Sequence, residues 1–258
     1  PAINRPHLLN DYRNATANLH INQMIFVQCE CDPELYLEEA RWVGKQAKED
    51  PRIQGIVAWA PLERGEAARD DLLALRAIPR LKGVRRIIQF EDDASFCLQK
   101  NFIAGVQLLG EFGLHFEICI KGDEQFVNTI KLVEQCPDVT FILNHIAKPY
   151  IADRKQEPWA SYMHEIAAHP NVWCKVSGMV NEANMDHWTA ADLAPYIEST
   201  FAAFGSERTF FGGDWPLVTL ASSLEDWYKV IDDWLQEHAP ESKQAFFHDN
   251  ALRAYRLS

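Results

Sequence analysis

The chain alternates short apolar runs with longer amphipathic segments. The runs are QMIFVQ (23–28), GIVAWAP (55–61), VRRIIQF (84–90), HFEICI (115–120), VTFILNH (139–145), VWCKVSG (172–178) and TFFGGD (209–214). Each is bounded by Gly, Pro, Asp or Asn, a pattern that predicts strands. Between them, DPELYLEEARWVGKQAKE (32–49) places Asp32 at the N-cap and Pro33 at the first helical position. Leu35, Trp42 and Val43 recur there at helical spacing with charges between. DEQFVNTIKLVEQC (123–136) and SSLEDWYKVIDDWLQEH (222–238) read the same way. Such alternation predicts parallel strands joined by crossover helices.

Two architectures produce that alternation, an open doubly wound sheet and a closed (β/α)8 barrel. The first expects a glycine-rich phosphate loop, and neither G-x-G-x-x-G nor G-x-x-x-x-G-K-[ST] occurs, so no nucleotide cofactor is expected. The barrel explains where the polar residues fall. Gln28, Pro61, Gln89, Lys121, His145, Ser177 and Asp214 lie at or just past the C-terminal ends of their runs, where a barrel gathers its chemistry. The expected fold is therefore α/β, a (β/α)8 TIM barrel forming one domain over residues 1–258. Only seven runs are found, whereas such a barrel closes with eight. The opening PAINRPHLLNDYR reads as loop feeding a helix. The expectation is that the first strand is missing from this chain and that a preceding segment supplies it.

Composition narrows the function. Among 258 residues, 47 % are hydrophobic and 24 % charged, enough to bury a sizeable core. A formal net charge of −12 argues against a nucleic-acid partner, which needs clustered Lys and Arg. No apolar run reaches the roughly 18 residues of a membrane helix, and no signal segment opens the chain. Cys29, Cys31, Cys97, Cys119, Cys136 and Cys174 have no zinc-finger spacing and read as reduced structural thiols of a cytoplasmic protein.

Asp214, in FFGGDWPL, stands where a strand ends at two glycines. It suits a turn aspartate or a functional acid, and the flanking Trp215 and strand-end position favour the acid. His145, in FILNHIAKP, caps an apolar strand beside Lys148 and Pro149. It serves either as a polar cap or, with Asp214, to hold a metal or a water. Arg85 and Arg86 must face opposite sides of a strand. An inward arginine needs an anion, either a substrate carboxylate or an interior acid such as Glu117 or Asp214. Lys175, sharing a face with Trp173 and Ser177, poses the same choice. His164, His169, His187, His238 and His248 read as surface or capping residues, His115 as a residue of the barrel floor, and Trp227 and Trp234 as packing.

FFGGDWPLVTLASS, FILNHIAKP, LKGVRRIIQ, VWCKVSGM and FFHDNALRAYRL together resemble the amidohydrolase-2 family, in particular its branch that hydrolyses sugar-acid and dicarboxylate lactones. The usual first motif there is F-G-S-D-W-P, and Gly213 stands in place of its serine. The resemblance implies a carboxylic ester hydrolase of carbohydrate metabolism with a small-molecule lactone as partner. Asp214 would be its general base and acid, and His145 its second catalytic residue. Gln28, Arg85, Lys148, Lys175 and Trp215 would bind substrate. It further implies one divalent metal, zinc, on His145 and Asp214, although the family's His-x-His pair does not occur in this sequence and lactonase members can work without a metal. Other readings are a metal-dependent decarboxylase and an inactive sugar-acid-binding barrel. The sequence is compatible with a monomer or an oligomer.

Overall fold

The computed structural model describes residues 3–257. Seven strands are present: β1 (Met24–Val27), β2 (Ile53–Ala58), β3 (Leu81–Arg85), β4 (His115–Ile118), β5 (Phe141–Leu143), β6 (Val172–Val176) and β7 (Thr209–Phe211). Their order in the sheet is their order in the chain, and each pair is parallel. The helices are α1 (Leu9–Ala15), α2 (Tyr36–Glu49), α3 (Arg69–Arg76), α4 (Lys100–Phe112), α5 (Asp123–Gln135), α6 (Trp159–Ala167), α7 (Met179–Glu182), α8 (Ala190–Phe204), α9 (Leu224–His238) and α10 (Asn250–Tyr255).

The sheet is curled. Tyr255 packs edge-on to His115 of β4 and Phe210 of β7, with ring centroids 5.0 and 5.7 Å away. In a flat sheet those strands would lie roughly 14 Å apart at about 4.8 Å per step. Val57, Ile142, Phe210, Ala254 and Tyr255 form the interior cluster. The larger core lies between strands and outer helices. This is the α/β architecture of a TIM-type barrel, with the ladder open between β7 and β1 among the described residues.

That seam is strapped by α1. His7 and Tyr12 pack edge-on to Trp215, just past β7, each with centroids 5.3 Å away. Arg13 donates to Asp50, before β2, at 3.2 Å, and Asn18 donates to Glu225 of α9 at 3.0 Å. At the floor, Asn250 donates to the carbonyl of Thr209 at 2.7 Å and seats α10 across the N-terminal ends of the strands.

The observed ladders are shorter than the apolar runs. The run at 84–90 is the main correction: β3 covers Leu81–Arg85, and Ile87 and Ile88 are buried outside it. Beyond Arg85 the chain peels away, and the amides of Ile88 and Gln89 both donate to the carbonyl of Cys119 at 3.2 Å. In α2 the buried stripe is Ala40, Val43 and Ala47, while Leu35 and Trp42 are exposed. Asp32 does cap this segment, accepting from the Glu34 amide at 3.0 Å. All six cysteines are free; four are buried, Cys31 is half-buried and Cys29 is exposed. No described helix is long and apolar enough to cross a membrane.

Candidate active site

Two strand ends build the centre of the mouth. After β7, Gly212 brings the backbone close to β6, because a side-chain carbon there would lie 2.7 Å from Ser177 Cβ and 2.8 Å from Lys175 Cγ. Trp227 holds the Gly212 carbonyl from behind through Nε1 at 2.9 Å. Asp214 then takes a left-handed conformation, φ 50°. After β5, the residues His145, Ile146, Ala147 and Lys148 all have φ between 45 and 59°. A left-handed run costs roughly 1–2 kcal/mol per residue, and a β-branched residue there is a genuine outlier. The turn is held by the Lys148 amide on the His145 carbonyl at 2.8 Å and by Trp159 Nε1 on the Ile146 carbonyl at 2.7 Å.

The turns aim His145 and Asp214 at each other, with Nε2 3.8 Å from Oδ1. The other ring nitrogen, Nδ1, lies 2.9 Å from Ser177 Oγ. Gly178, at φ 67°, gives the ring its room, since a Cβ there would sit 2.7 Å from Nδ1. Burial, reinforced by Lys148, Arg85 and Lys175, pushes His145 well below the usual imidazole range and keeps it neutral. The contact to Asp214 is therefore not an ion pair. Burial pushes the Asp214 carboxyl up to about 6, even though the same three cations oppose the shift. A carboxyl poised near neutrality among cations can exchange a proton with a bound water or alcohol.

The proposed binding residues divide. Arg85 points inward, donates to the Gln28 carbonyl and leaves its buried Nε without a partner among the described residues. It pairs with neither Glu117 nor Asp214; Arg86 faces outward to Glu63 and Glu91. Lys148 reaches Gln89 beside the mouth. Lys175 is buried and bonded to Glu117 at 2.9 Å. Burial lowers its pKa, and Glu117 resists that shift. Gln28 spends both ends of its side-chain amide on Glu30, at 2.7 and 2.6 Å, and turns only its carbonyl inward. Trp215 is half-buried under α1 rather than free in the mouth.

Sequence reading assigned no site role to Ser177, Glu117 or Tyr255. Ser177 had a signal, its place one residue past β6. Glu117 binds both Lys175 and Tyr255 Oη, the latter at 2.7 Å, and is fully buried. Burial disfavours its carboxylate, but Lys175 and His115 outweigh that, and its pKa lies well below the ordinary value. Tyr255 carried no signal, because nothing local shows that a C-terminal helix crosses the floor.

A divalent metal fits this residue set poorly. A catalytic zinc takes three protein ligands, and His145 and Asp214 are two. No group of three His, Cys, Asp or Glu is placed to hold an ion among the described residues. Three cationic side chains also act on the same carboxylate.

Comparison with known proteins agrees with the architecture. A family model described as "Amidohydrolase" matches residues 9–257. An L-fucono-1,5-lactonase of Burkholderia ambifaria is 27 % identical over 225 residues, covering 85 % of this chain and 76 % of that protein. An L-rhamnono-gamma-lactonase of Scheffersomyces stipitis is 23 % identical over 234 residues, covering 80 % and 69 %. The crystal structure of a zinc-bound amidohydrolase from Burkholderia multivorans superposes with a TM-score of 0.91 at 24 % identity, covering all of this chain and 91 % of the other.

Proposed function

The chain belongs to the amidohydrolase family, and from that membership we propose that it opens the ring of a sugar-acid lactone, or of a related carboxylated lactone, by hydrolysis. The observation that carries this reading is the Asp214 carboxyl, raised to about 6 and facing a neutral His145 at 3.8 Å among three cations. The lactonase names of two relatives supply the reaction class.

In the proposed reaction, Asp214 as carboxylate takes a proton from water as its oxygen attacks the lactone carbonyl. The carbon–oxygen double bond becomes an oxyanion. Arg85 and Lys148 face this charge, and His145, held by Ser177, positions the reacting oxygens. When the oxyanion collapses, the ring carbon–oxygen bond breaks. Asp214 returns its proton to the departing alkoxide, giving a hydroxy acid. Lys175, fixed by Glu117, keeps positive charge beneath the carboxylate.

The test is steady-state hydrolysis of a panel of aldonolactones. Asp214→Asn should lower kcat by roughly 10²–10⁴ with little change in KM, the loss expected for a missing proton-transfer group. In the wild type kcat/KM should rise with pH through about 6, as Asp214 ionises. Turnover of Asp214→Asn near the wild-type rate removes Asp214 from the mechanism.

A further inference from the structure

The pole of the barrel opposite Asp214 contains a cavity of about 130 Å3, lined by Lys82, Gly113, His115, Tyr255 and Arg256 among others. At roughly 30 Å3 per water, the space suits a tetrahedral oxyanion or a short carboxylate. Among the described residues no acidic side chain lines it, although the chain carries a net charge of −12.

Its donors exceed its acceptors. Lys82 gives one bond, to the Arg256 carbonyl at 3.0 Å, and an ammonium has three donors. Arg256, turned back by φ 50°, reaches the Gly113 carbonyl at 3.4 Å and Thr140 Oγ1 at 3.1 Å, with no further side-chain bond from its fork among the described residues. His115 is buried, and its Nε2 has no hydrogen-bond partner among the described residues. The nearest carboxylate oxygen, on Glu117, lies 3.7 Å away and already accepts from Tyr255. The lining belongs to β3, the turn from α4 into β4, β4 itself and the end of α10, so an occupant would brace the C-terminal helix against the sheet.

We propose that this floor cavity is a binding site for a small oxyanion, a phosphate or a short carboxylate, held by Lys82, Arg256 and His115. A guanidinium with free donors suits such an anion through paired hydrogen bonds. The site is separate from the mouth and independent of the reaction proposed there.

Calorimetric titration of the full chain at low ionic strength tests it, with inorganic phosphate, sulfate and acetate as probes and sodium chloride at matched ionic strength. The expected result is one saturable event for phosphate or acetate, the stronger of the two fixing the ligand class. Lys82→Ala and Arg256→Ala should each weaken it at least about tenfold, the effect of losing a charged hydrogen bond. Lys148→Ala, which alters the mouth, should leave it intact. If Lys82→Ala lowers folded content by circular dichroism, Lys82→Gln takes its place. No saturable event with any oxyanion overturns the proposal. So does binding that survives both floor substitutions, or that is lost in Lys148→Ala alone.

Discussion

A carboxyl that keeps its proton up to about pH 6 when folded, against an ordinary value of 3.8, makes the folded state less stable as pH rises through that window. Between those values the folded protein binds more protons than the unfolded chain. Asp214 is mostly enclosed, and at neutral pH its charge opposes folding by an amount on the order of 3 kcal/mol. Asp214→Asn should therefore raise Tm at pH 7.5 even as it slows turnover, and the gain should shrink as pH falls from about 6 toward 4. Thermal melts of both proteins across pH check this, and a gain that does not change with pH would count against it. Asp214 and His145 were legible because each ends an apolar run where a barrel places its chemistry. Their conformations were not. Nothing in HIAK announces four consecutive left-handed residues, whose turn leans on Trp159 from the following helix.

The turn after β5 fits only because β6 is followed by Gly178. Gly113, which ends α4, offers a matched control: φ 67° and ψ 24° against 67° and 2° at Gly178, and a Cβ there meets only a guanidinium nitrogen of Arg256 at 3.9 Å. Alanine at either position pays the left-handed penalty of about 1–2 kcal/mol. Only Gly178→Ala should also displace His145 and cut activity, which paired melts and kinetics will separate. Equal loss of activity in both variants would deny the ring contact its importance. Strand existence and order were readable at this scale from the apolar runs. Strand ends were not, because burial outlasts the ladder: Ile87 and Ile88 stay buried after β3 has ended. Helical spacing likewise drew in Leu35 and Trp42, which solvent reaches.

Across the whole molecule, Lys175, Glu117 and Tyr255 form a buried polar column inside the barrel, joined at 2.9 and 2.7 Å. Its members come from β6, β4 and α10, so their meeting depends on curvature that no local pattern encodes. The sequence offered an interior acid such as Glu117 to either inward cation, Arg85 or Lys175, and Lys175 is the one that takes it. Removing one partner of a buried pair strands the other charge, so Glu117→Gln should cost roughly 3–5 kcal/mol in denaturant unfolding. A loss under about 1 kcal/mol would mean that water already reaches Lys175. The strap formed by α1 has a different character. It joins the two free margins of the sheet through side chains alone: aromatic edges on Trp215, a guanidinium on Asp50 and an amide on Glu225. Such a fastening can lift without melting the strands beneath. A short trypsin pulse should accordingly clip the chain at Arg13 in otherwise native molecules, which mass spectrometry would register as loss of the leading peptide while later fragments stay intact.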